Sequence, residues 1–298
     1  MSRVRERTVL GSALSLVGGV LMGGVGIAGR LGAQAGLTPF QMLAAQVALL
    51  VPVSAALIYV RSGVRGFKPR KPWSLVIRTV SGFFYFSTFY WALRGLPVAD
   101  VLVLESTNTF FAMLIAWFFL GHRVSRIAIW LSIIAFIGVC LILVQHGAHD
   151  VLNPYSLIAL LAGVGRAAGS VATGVAGKTE PAERIMFYYA LGMLLFSMLG
   201  LPGQWSPIEG RDWLILVAPA ILFIPQNLVY TVANRLIPAY MVGALFYSSI
   251  LVGVIADQYL FRTELSGRGI VGMLLTVAAG LALSWIRSRE QSVAKQHD

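Results

Sequence analysis

The sequence predicts an all-α integral membrane protein of ten transmembrane helices. Of its 298 residues, 57% are hydrophobic and only 12% are charged, and the mean hydropathy is +0.78. A soluble domain of this size needs a charged surface, whereas a helix that faces lipid does not. Apolar stretches recur along nearly the whole chain, and about 20 apolar residues cross a hydrocarbon core. Ten spans joined by short loops therefore account for almost all of the sequence.

The basic residues orient these spans. We place the spans at roughly 8–29, 38–60, 72–93, 97–120, 127–145, 154–176, 183–202, 212–233, 239–260 and 268–286. With the N-terminus in the cytoplasm, sixteen of the 23 Lys and Arg residues fall on the cytoplasmic side and five on the opposite side. By the positive-inside rule, we predict a multi-pass protein of the cell inner (plasma) membrane with both termini cytoplasmic. The net charge of +11 comes from scattered loop residues, so the expected partner is the lipid bilayer and not nucleic acid.

An internal repeat divides the chain into two halves. Residues 92–97, ALRGLP, match residues 233–238, ANRLIP, at an offset of 141 positions, and the same offset brings residues 124–125 onto 265–266. Each half then holds five helices, and because five is odd, the second half must enter the membrane upside down. We predict a first five-helix repeat over 1–146, a second, inverted repeat over 147–287 and a cytoplasmic basic tail over 288–298.

These motifs resemble a known family. The pattern Ala-x-Arg-x-x-Pro precedes a helix of about 20 residues, a short Leu-Gly-x-Arg-Val-Ser turn and a Gly-bearing closing helix. This order is similar to the EamA domain of the drug/metabolite transporter superfamily, clearly over 78–144 and more weakly over 217–284. Where the family commonly has Gly-Glu after each fourth helix, this chain has His122 and Thr263 at the second position. The resemblance implies a ten-helix secondary carrier, frequently an exporter, with a central cavity between two repeats.

The most informative polar residue is Glu105, because a carboxylate in the middle of a membrane helix is costly and tends to face a cavity or a partner. It follows Pro97 by eight residues, so it lies roughly 12 Å deep at 1.5 Å per residue. Asn108 shares its helical face, and Arg166 reaches a similar depth in the sixth span. We predict that all three line the cavity. Glu105 and Arg166 would bind solute or form a latch; a permanent structural bridge is the alternative.

Aromatic and amide side chains add candidate cavity walls. The third span carries the run FFYFSTFYW over 83–91, in which Tyr85 and Phe89 share a face that could stack on a planar or cationic solute. In the eighth span, Asn227 and Tyr230 follow a proline that loosens the helix. Helix packing is the alternative interpretation of both groups.

A second arginine within a span is a candidate gate. Arg78 lies about two turns into the third span from the cytoplasmic side, where its long side chain can snorkel toward the interface. We interpret it as a possible gate or a structural residue.

The residues favour transport over catalysis. The sequence has no metal-ligand cluster and no glycine-rich phosphate loop, so no metal, cofactor or enzymatic activity is expected. We predict a secondary active transporter that exports amino acids or related small metabolites by alternating access, coupled to protons or a counter-substrate. The alternatives are an importer of a larger planar metabolite, nucleoside-like or vitamin-like, and a membrane enzyme or scaffold without transport.

Overall fold

The computed structural model describes residues 2–120, 126–143, 153–200, 202–203, 205–210, 212–237, 239–263 and 266–294. All regular structure in these ranges is helical. The α-helices are α1 (Ser2–Gln34), α2 (Pro39–Ala48), α3 (Leu50–Ser62), α4 (Pro72–Ala92), α5 (Val98–Ser106), α6 (Asn108–Leu120), α7 (Arg126–Leu143), α8 (Pro154–Ala176), α9 (Ala182–Gly200), α10 (Asp212–Leu236), α11 (Ala239–Leu245), α12 (Ser248–Tyr259) and α13 (Gly267–Ala294). The predicted boundary between halves at 146–147, the turn at 121–125 and the last residues of the tail, 295–298, lie outside the described residues.

Length and apolar composition make this a multi-pass membrane protein. Within the described residues, seven helical stretches can cross a membrane by these criteria: Glu6–Gln34, Pro39–Ser62, Val98–Phe119, Pro154–Ala176, Ala182–Gly200, Asp212–Leu236 and Met241–Tyr259. The other predicted spans coincide with α4, α7 and α13. In α7 and α13 the apolar segments are shorter, Ile129–Gly138 and Gly267–Ala282. The arrangement as ten spans in two inverted repeats stays a prediction.

The second predicted span is broken between α2 and α3. Leu49 forms a turn between the two helices, and Pro52 follows in the first turn of α3. Proline has no N–H to donate to the carbonyl of Ala48, so the helical hydrogen bonding stops there and restarts. A hydropathy window averages over this break and therefore predicts one continuous helix.

Two further spans are broken where consecutive polar side chains occur. Ser106, Thr107 and Asn108 each donate a side-chain hydrogen bond to the carbonyl three residues earlier, at 2.6, 2.6 and 3.1 Å. Ser248 and Ser249 do the same between α11 and α12, at 3.2 and 2.7 Å. Side chains of this kind compete with the helical ladder for the same carbonyls, so α5 ends before α6 begins and α11 ends before α12 begins.

The helices pack in long antiparallel contacts around a shared core. The most extensive contacts join α1 to α10, α4 to α8 and α7 to α13. Large apolar side chains on the outside of the bundle remain exposed, among them Phe118, Phe119, Trp130 and Phe136. An outward apolar surface is expected where the surroundings are lipid. The last helix of the described chain, α13, continues past the predicted span end at 286 as far as Ala294.

Candidate functional site

A buried ion pair joins the end of α5 to the middle of α8. The Arg166 guanidinium donates to Glu105 Oε1, and the two side chains are 5% and 0% exposed. The Tyr85 hydroxyl lies 3.4 Å from Arg166 Nη1, and the Arg166 guanidinium carbon lies 4.7 Å from the centre of the Phe246 ring. The contact that helix depth predicted between Glu105 and Arg166 is therefore present in the fold. What the pair does for a solute stays a prediction.

Asn108 lies three residues after Glu105 in the chain, but its side chain lies next to a different helix. Its side-chain amide donates to the Glu105 backbone carbonyl at 3.1 Å. A Cβ built on Gly243 of α11 would lie 2.5 Å from Asn108 Oδ1. Asn108 thus lies in a close contact between α6 and α11. Its predicted place in a solute site stays a prediction.

A cavity lies beside the ion pair, between α4, α8 and α10. The cavity is open to solvent: its volume together with the adjoining solvent space is about 320 Å³, of which about 20 Å³ admits the centre of a water molecule. Its walls are formed by Arg78, Gly82, Tyr85, Phe86, Gly165, Arg166, Gly169, Gln226, Asn227 and Tyr230. Four of the residues predicted for the site therefore line the same cavity: Tyr85, Arg166, Asn227 and Tyr230. Glu105 is not among the lining residues, but it pairs with Arg166, which is.

Arg78 belongs to this cavity and not to the membrane interface. Only 5% of the residue is exposed, and the guanidinium carbon lies 3.7 Å from the centre of the Tyr189 ring and 5.7 Å from that of Tyr230. The side chain is thus buried among aromatic rings, and its predicted role as a gate or a structural residue stays a prediction. Two aromatic faces attract the guanidinium inward, and Gly82 and Gly169 leave room for it, since a Cβ on Gly82 would lie 2.6 Å from Arg78 Nη1.

Phe89 packs in the core beyond the cavity. It is fully buried against Phe86 and Tyr90, with ring centres 6.1 and 5.7 Å apart. Phe223 of α10 meets Phe86 edge to face at 5.2 Å. Neighbouring aromatic rings cover Phe89 in this structure, and its predicted stacking on a solute stays a prediction. Within this aromatic cluster, Phe86 also lines the cavity.

Other residues complete the cavity besides the predicted site residues. Gln226 and the glycines of α4 and α8 line it, and the ring of Tyr189 supports Arg78; of these, Gly82 had no signal in the sequence. Gly165 and Gly169 are four residues apart in α8, a spacing that lets backbones approach. That spacing is the one sequence signal that could have indicated the close contact between α4 and α8.

A buried acid also caps the start of α5. Asp257 of α12 is fully buried, and its two carboxylate oxygens accept hydrogen bonds from Val98 N–H at 3.0 Å and Ala99 N–H at 2.6 Å. A carboxylate at a helix N-terminus satisfies donors that have no partner within the helix. Asp257 therefore fixes α12 to the beginning of the broken helix that carries Glu105.

At the end of α8, Glu180 fastens the loop before α4. Its carboxylate accepts the backbone N–H of Arg70 at 2.5 Å and of Lys71 at 2.7 Å, and pairs with Arg184 at 2.6 Å. Burial alone would raise the pKa of Glu180, but the hydrogen bonds from Lys71, Arg184 and Arg70 outweigh it, so the pKa of Glu180 lies below its ordinary value. The loop is therefore held by a carboxylate that stays ionised.

The first half of the chain matches a family of known proteins. Residues 9–144 match the EamA-like transporter family, which confirms the resemblance seen in the sequence. Two relatives, both named pseudopaline exporter CntI and from two strains of Pseudomonas aeruginosa, are each 27% identical over 215 residues, covering 70% of this chain and 74% of their own.

A solved structure shares the fold. This crystal structure superposes with a TM-score of 0.68 over 94% of this chain and 99% of its own at 19% identity. At this identity the likeness concerns the fold alone.

Proposed function

Because residues 9–144 belong to the EamA-like transporter family, we propose that this chain is a secondary active transporter that exports a small metabolite, an amino acid or a related compound, from the cytoplasm. The observation that carries the proposal is the buried Glu105–Arg166 pair beside a cavity among membrane helices, since ionisable residues at such depth mark solute and ion pathways. The relatives named as exporters support the direction. The family indicates a transporter rather than an enzyme.

The ten-span inverted repeat, 1–146 and 147–287, is part of this proposal. Shifted by 141 positions, α4 (72–92) falls on α10 (212–236), and α7 (126–143) falls on the start of α13 (267–294). The contact of α1 with α10 then corresponds to that of α8 with α4, and both are extensive.

Two contacts between residues separated by this same offset support it further. Tyr247 Oη lies 3.5 Å from the Ser106 carbonyl oxygen, and Thr276 Oγ1 lies 3.4 Å from that of Ala135; each pair is 141 residues apart. A residue meets its own counterpart only on the axis that relates two repeats. These pairs are therefore expected near a pseudo-two-fold axis in the membrane plane.

Alternating access would use the broken helices on that axis. Tyr247 follows the break in α11–α12 and reaches Thr109 and the Ser106 carbonyl at the break in α5–α6. Discontinuous helices that meet at the midplane are a common basis of solute sites in carriers. With both termini and the tail at 288–298 in the cytoplasm of an inner-membrane protein, the cavity lies in the cytoplasmic half, and the Phe86–Phe223 cluster closes the opposite side. This is the arrangement expected of a carrier ready to load from the cytoplasm.

In this mechanism the ion pair is the element that solute or protons release. A solute carboxylate could compete with Glu105 for Arg166, or protonation of Glu105 could free the arginine. Either event would loosen the contact between α5 and α8, and coupling to protons or to a counter-substrate would follow from the same pair.

The flux of labelled solutes tests the proposal. The full chain is reconstituted in liposomes, and a panel of amino acids and nucleosides is followed with and without an imposed pH gradient, with protein-free liposomes as the control. We expect saturable flux of an amino acid or related metabolite. Absence of flux for every solute would contradict transport.

A second candidate is the import of a larger planar metabolite. Tyr85 and Tyr230 both line the cavity, and aromatic faces suit a planar ring. The nucleosides in the same panel examine it: saturable nucleoside uptake without amino-acid flux would favour this candidate over the first.

A further inference from the structure

The cavity contains more positive than negative charge. Arg78 and Arg166 both line it, and Arg166 is paired with Glu105. The ion pairs of the described residues do not include Arg78. A buried charge without a counter-ion is strongly unfavourable. Among the described residues, the cavity therefore carries one more cationic side chain than anionic side chains.

The Arg78 side chain is held in place while one of its donors lacks a partner. It stacks on the Tyr189 ring at 3.7 Å, and its Nε has no hydrogen-bond partner in the part of the chain that the structure describes. Stacking fixes the plane of the guanidinium, and the donors at its edge include this unpaired Nε–H. A donor fork fixed in this way loses little side-chain entropy when it binds a planar anion.

We propose that Arg78 is the binding site for a carboxylate of the transported solute, and that the preferred solutes carry a net negative charge. This inference rests on the proposed transport function and adds the substrate class to it. A guanidinium and a carboxylate match in a bidentate geometry. A monoanionic solute also brings the net charge of the loaded cavity to zero, whereas a zwitterion leaves the excess positive charge and a cationic solute doubles it.

Two amide side chains that line the same cavity indicate which other groups the solute carries. Gln226 Oε1 and Asn227 Oδ1 are buried acceptors without hydrogen-bond partners among the described residues, and both residues line the cavity. Buried acceptors need donors, so the solute carries N–H or O–H groups a short distance from its carboxylate. The faces of Tyr85 and Tyr230 complete the wall and suit an apolar or planar body. The class is thus a small anionic carboxylate with amide, amine or hydroxyl donors.

Three probes with one skeleton and different charges test this assignment. Labelled N-acetyl-L-phenylalanine, L-phenylalanine and L-phenylalaninamide carry net charges of about −1, 0 and +1 at neutral pH. Their equilibrium binding to the purified full chain in lipid nanodiscs is measured for the unmodified chain and for Arg78→Gln and Arg78→Lys. The matched control is Arg94→Gln, because Arg94 also stacks on a ring, that of Trp91 at 5.2 Å, but is exposed and outside the cavity.

We expect the N-acetylated anion to bind about 10- to 100-fold more tightly than the other two probes, as expected for a hydrogen-bonded charge pair. Arg78→Gln removes this preference, Arg78→Lys retains part of it because the charge remains without the fork, and Arg94→Gln leaves it unchanged. Excess inorganic phosphate displaces the anion only weakly, because phosphate lacks the apolar body.

Several results would overturn the assignment. These are equal affinity for the three probes, an anion preference that survives Arg78→Gln, displacement by phosphate as effective as by the unlabelled anion, or no binding of any probe to a chain that transports solutes in liposomes. If Arg78→Gln does not yield a monodisperse protein, Arg78→Lys decides alone, and unchanged anion affinity in that variant overturns the assignment. Failure of the transport proposal itself is distinct, because it appears as the absence of flux for every solute.

Discussion

Breaking the Glu105–Arg166 pair from one side should destabilise the protein more than removing both charges. Glu105→Gln leaves the Arg166 guanidinium buried without its counter-ion, and Arg166→Met leaves the carboxylate in the same position. Two unit charges about 4 Å apart at an effective dielectric constant of 20 attract by about 4 kcal/mol, and breaking a buried pair costs about 3–5 kcal/mol. We expect each single substitution to lower the free energy of unfolding by an amount in that range.

The double variant tests whether the cost belongs to the pair. Glu105→Gln with Arg166→Met leaves no buried charge, so we expect it to be less destabilised than the sum of the singles, with a coupling energy of about 2–3 kcal/mol. Equilibrium unfolding in mixed micelles measures all four proteins. The control cycle uses Arg61 and Glu183, 3.3 Å apart, in which Glu183 is buried but Arg61 is largely exposed, so that solvent screens the pair and the coupling should stay below about 1 kcal/mol. Additive effects at Glu105 and Arg166 would refute the reasoning.

Four further predictions concern a helix contact, a cap, the cavity cation and a loop. Gly165→Ala should lower the free energy of unfolding by about 1–3 kcal/mol, because its Cβ would lie 3.0 Å from the α4 backbone. Gly174→Ala, whose Cβ would lie 3.4 Å from its nearest neighbour, should be neutral or stabilising. Equal melting temperatures for the two variants would contradict this. Asp257→Ala should cost about 1–3 kcal/mol in the same unfolding assay, since it leaves two buried N–H groups at the start of α5 without an acceptor, and an unchanged value would exclude the cap. Arg78→Gln should leave the melting temperature of the solute-free protein unchanged or raise it, because it removes an unpaired buried charge; a large decrease would indicate a structural role. The depressed pKa of Glu180 means that its stabilisation is complete above the ordinary glutamate pKa and is lost as the pH falls through the lowered value, so the stability difference from Glu180→Gln should disappear in acid; a difference independent of pH would contradict the assignment.

Periodicity and depth counting located the helices and the central charge pair because both depend on simple geometry. A rise of 1.5 Å per residue was enough to predict that Glu105 and Arg166 lie at the same level, and the structure brings them into contact. The bounds of several helices were predicted within a few residues, for example 72–93 against Pro72–Ala92 and 154–176 against Pro154–Ala176, whereas α1 and α13 extend beyond their predicted spans. A long apolar stretch is sufficient for such predictions.

The breaks within spans could not be read from hydropathy. Pro52 alone gave a signal for the interruption between α2 and α3. At Thr107 the interruption depends on three side chains that choose backbone carbonyls as acceptors, a choice that an average over a window does not contain.

The directions of Arg78 and Phe89 depend on residues far away in sequence. Arg78 turns inward because Tyr189 of α9 and Tyr230 of α10 offer ring faces, and Phe89 is covered partly through Phe86, which contacts Phe223 of α10. Position along one helix gives the depth of a side chain, but contacts between helices decide which neighbours it meets.

Flux through the chain that carries Glu105→Gln tests the proposed transport mechanism most directly. The unmodified chain, Glu105→Gln and the control Glu183→Gln, whose carboxylate pairs with a largely exposed arginine, are reconstituted in equal amounts, and the flux of the best solute is measured under a pH gradient. We predict that Glu105→Gln lowers the flux at least about tenfold, equivalent to about 1.4 kcal/mol on the limiting step, while Glu183→Gln matches the unmodified chain. Equal flux through all three proteins would contradict a role of the buried pair in transport.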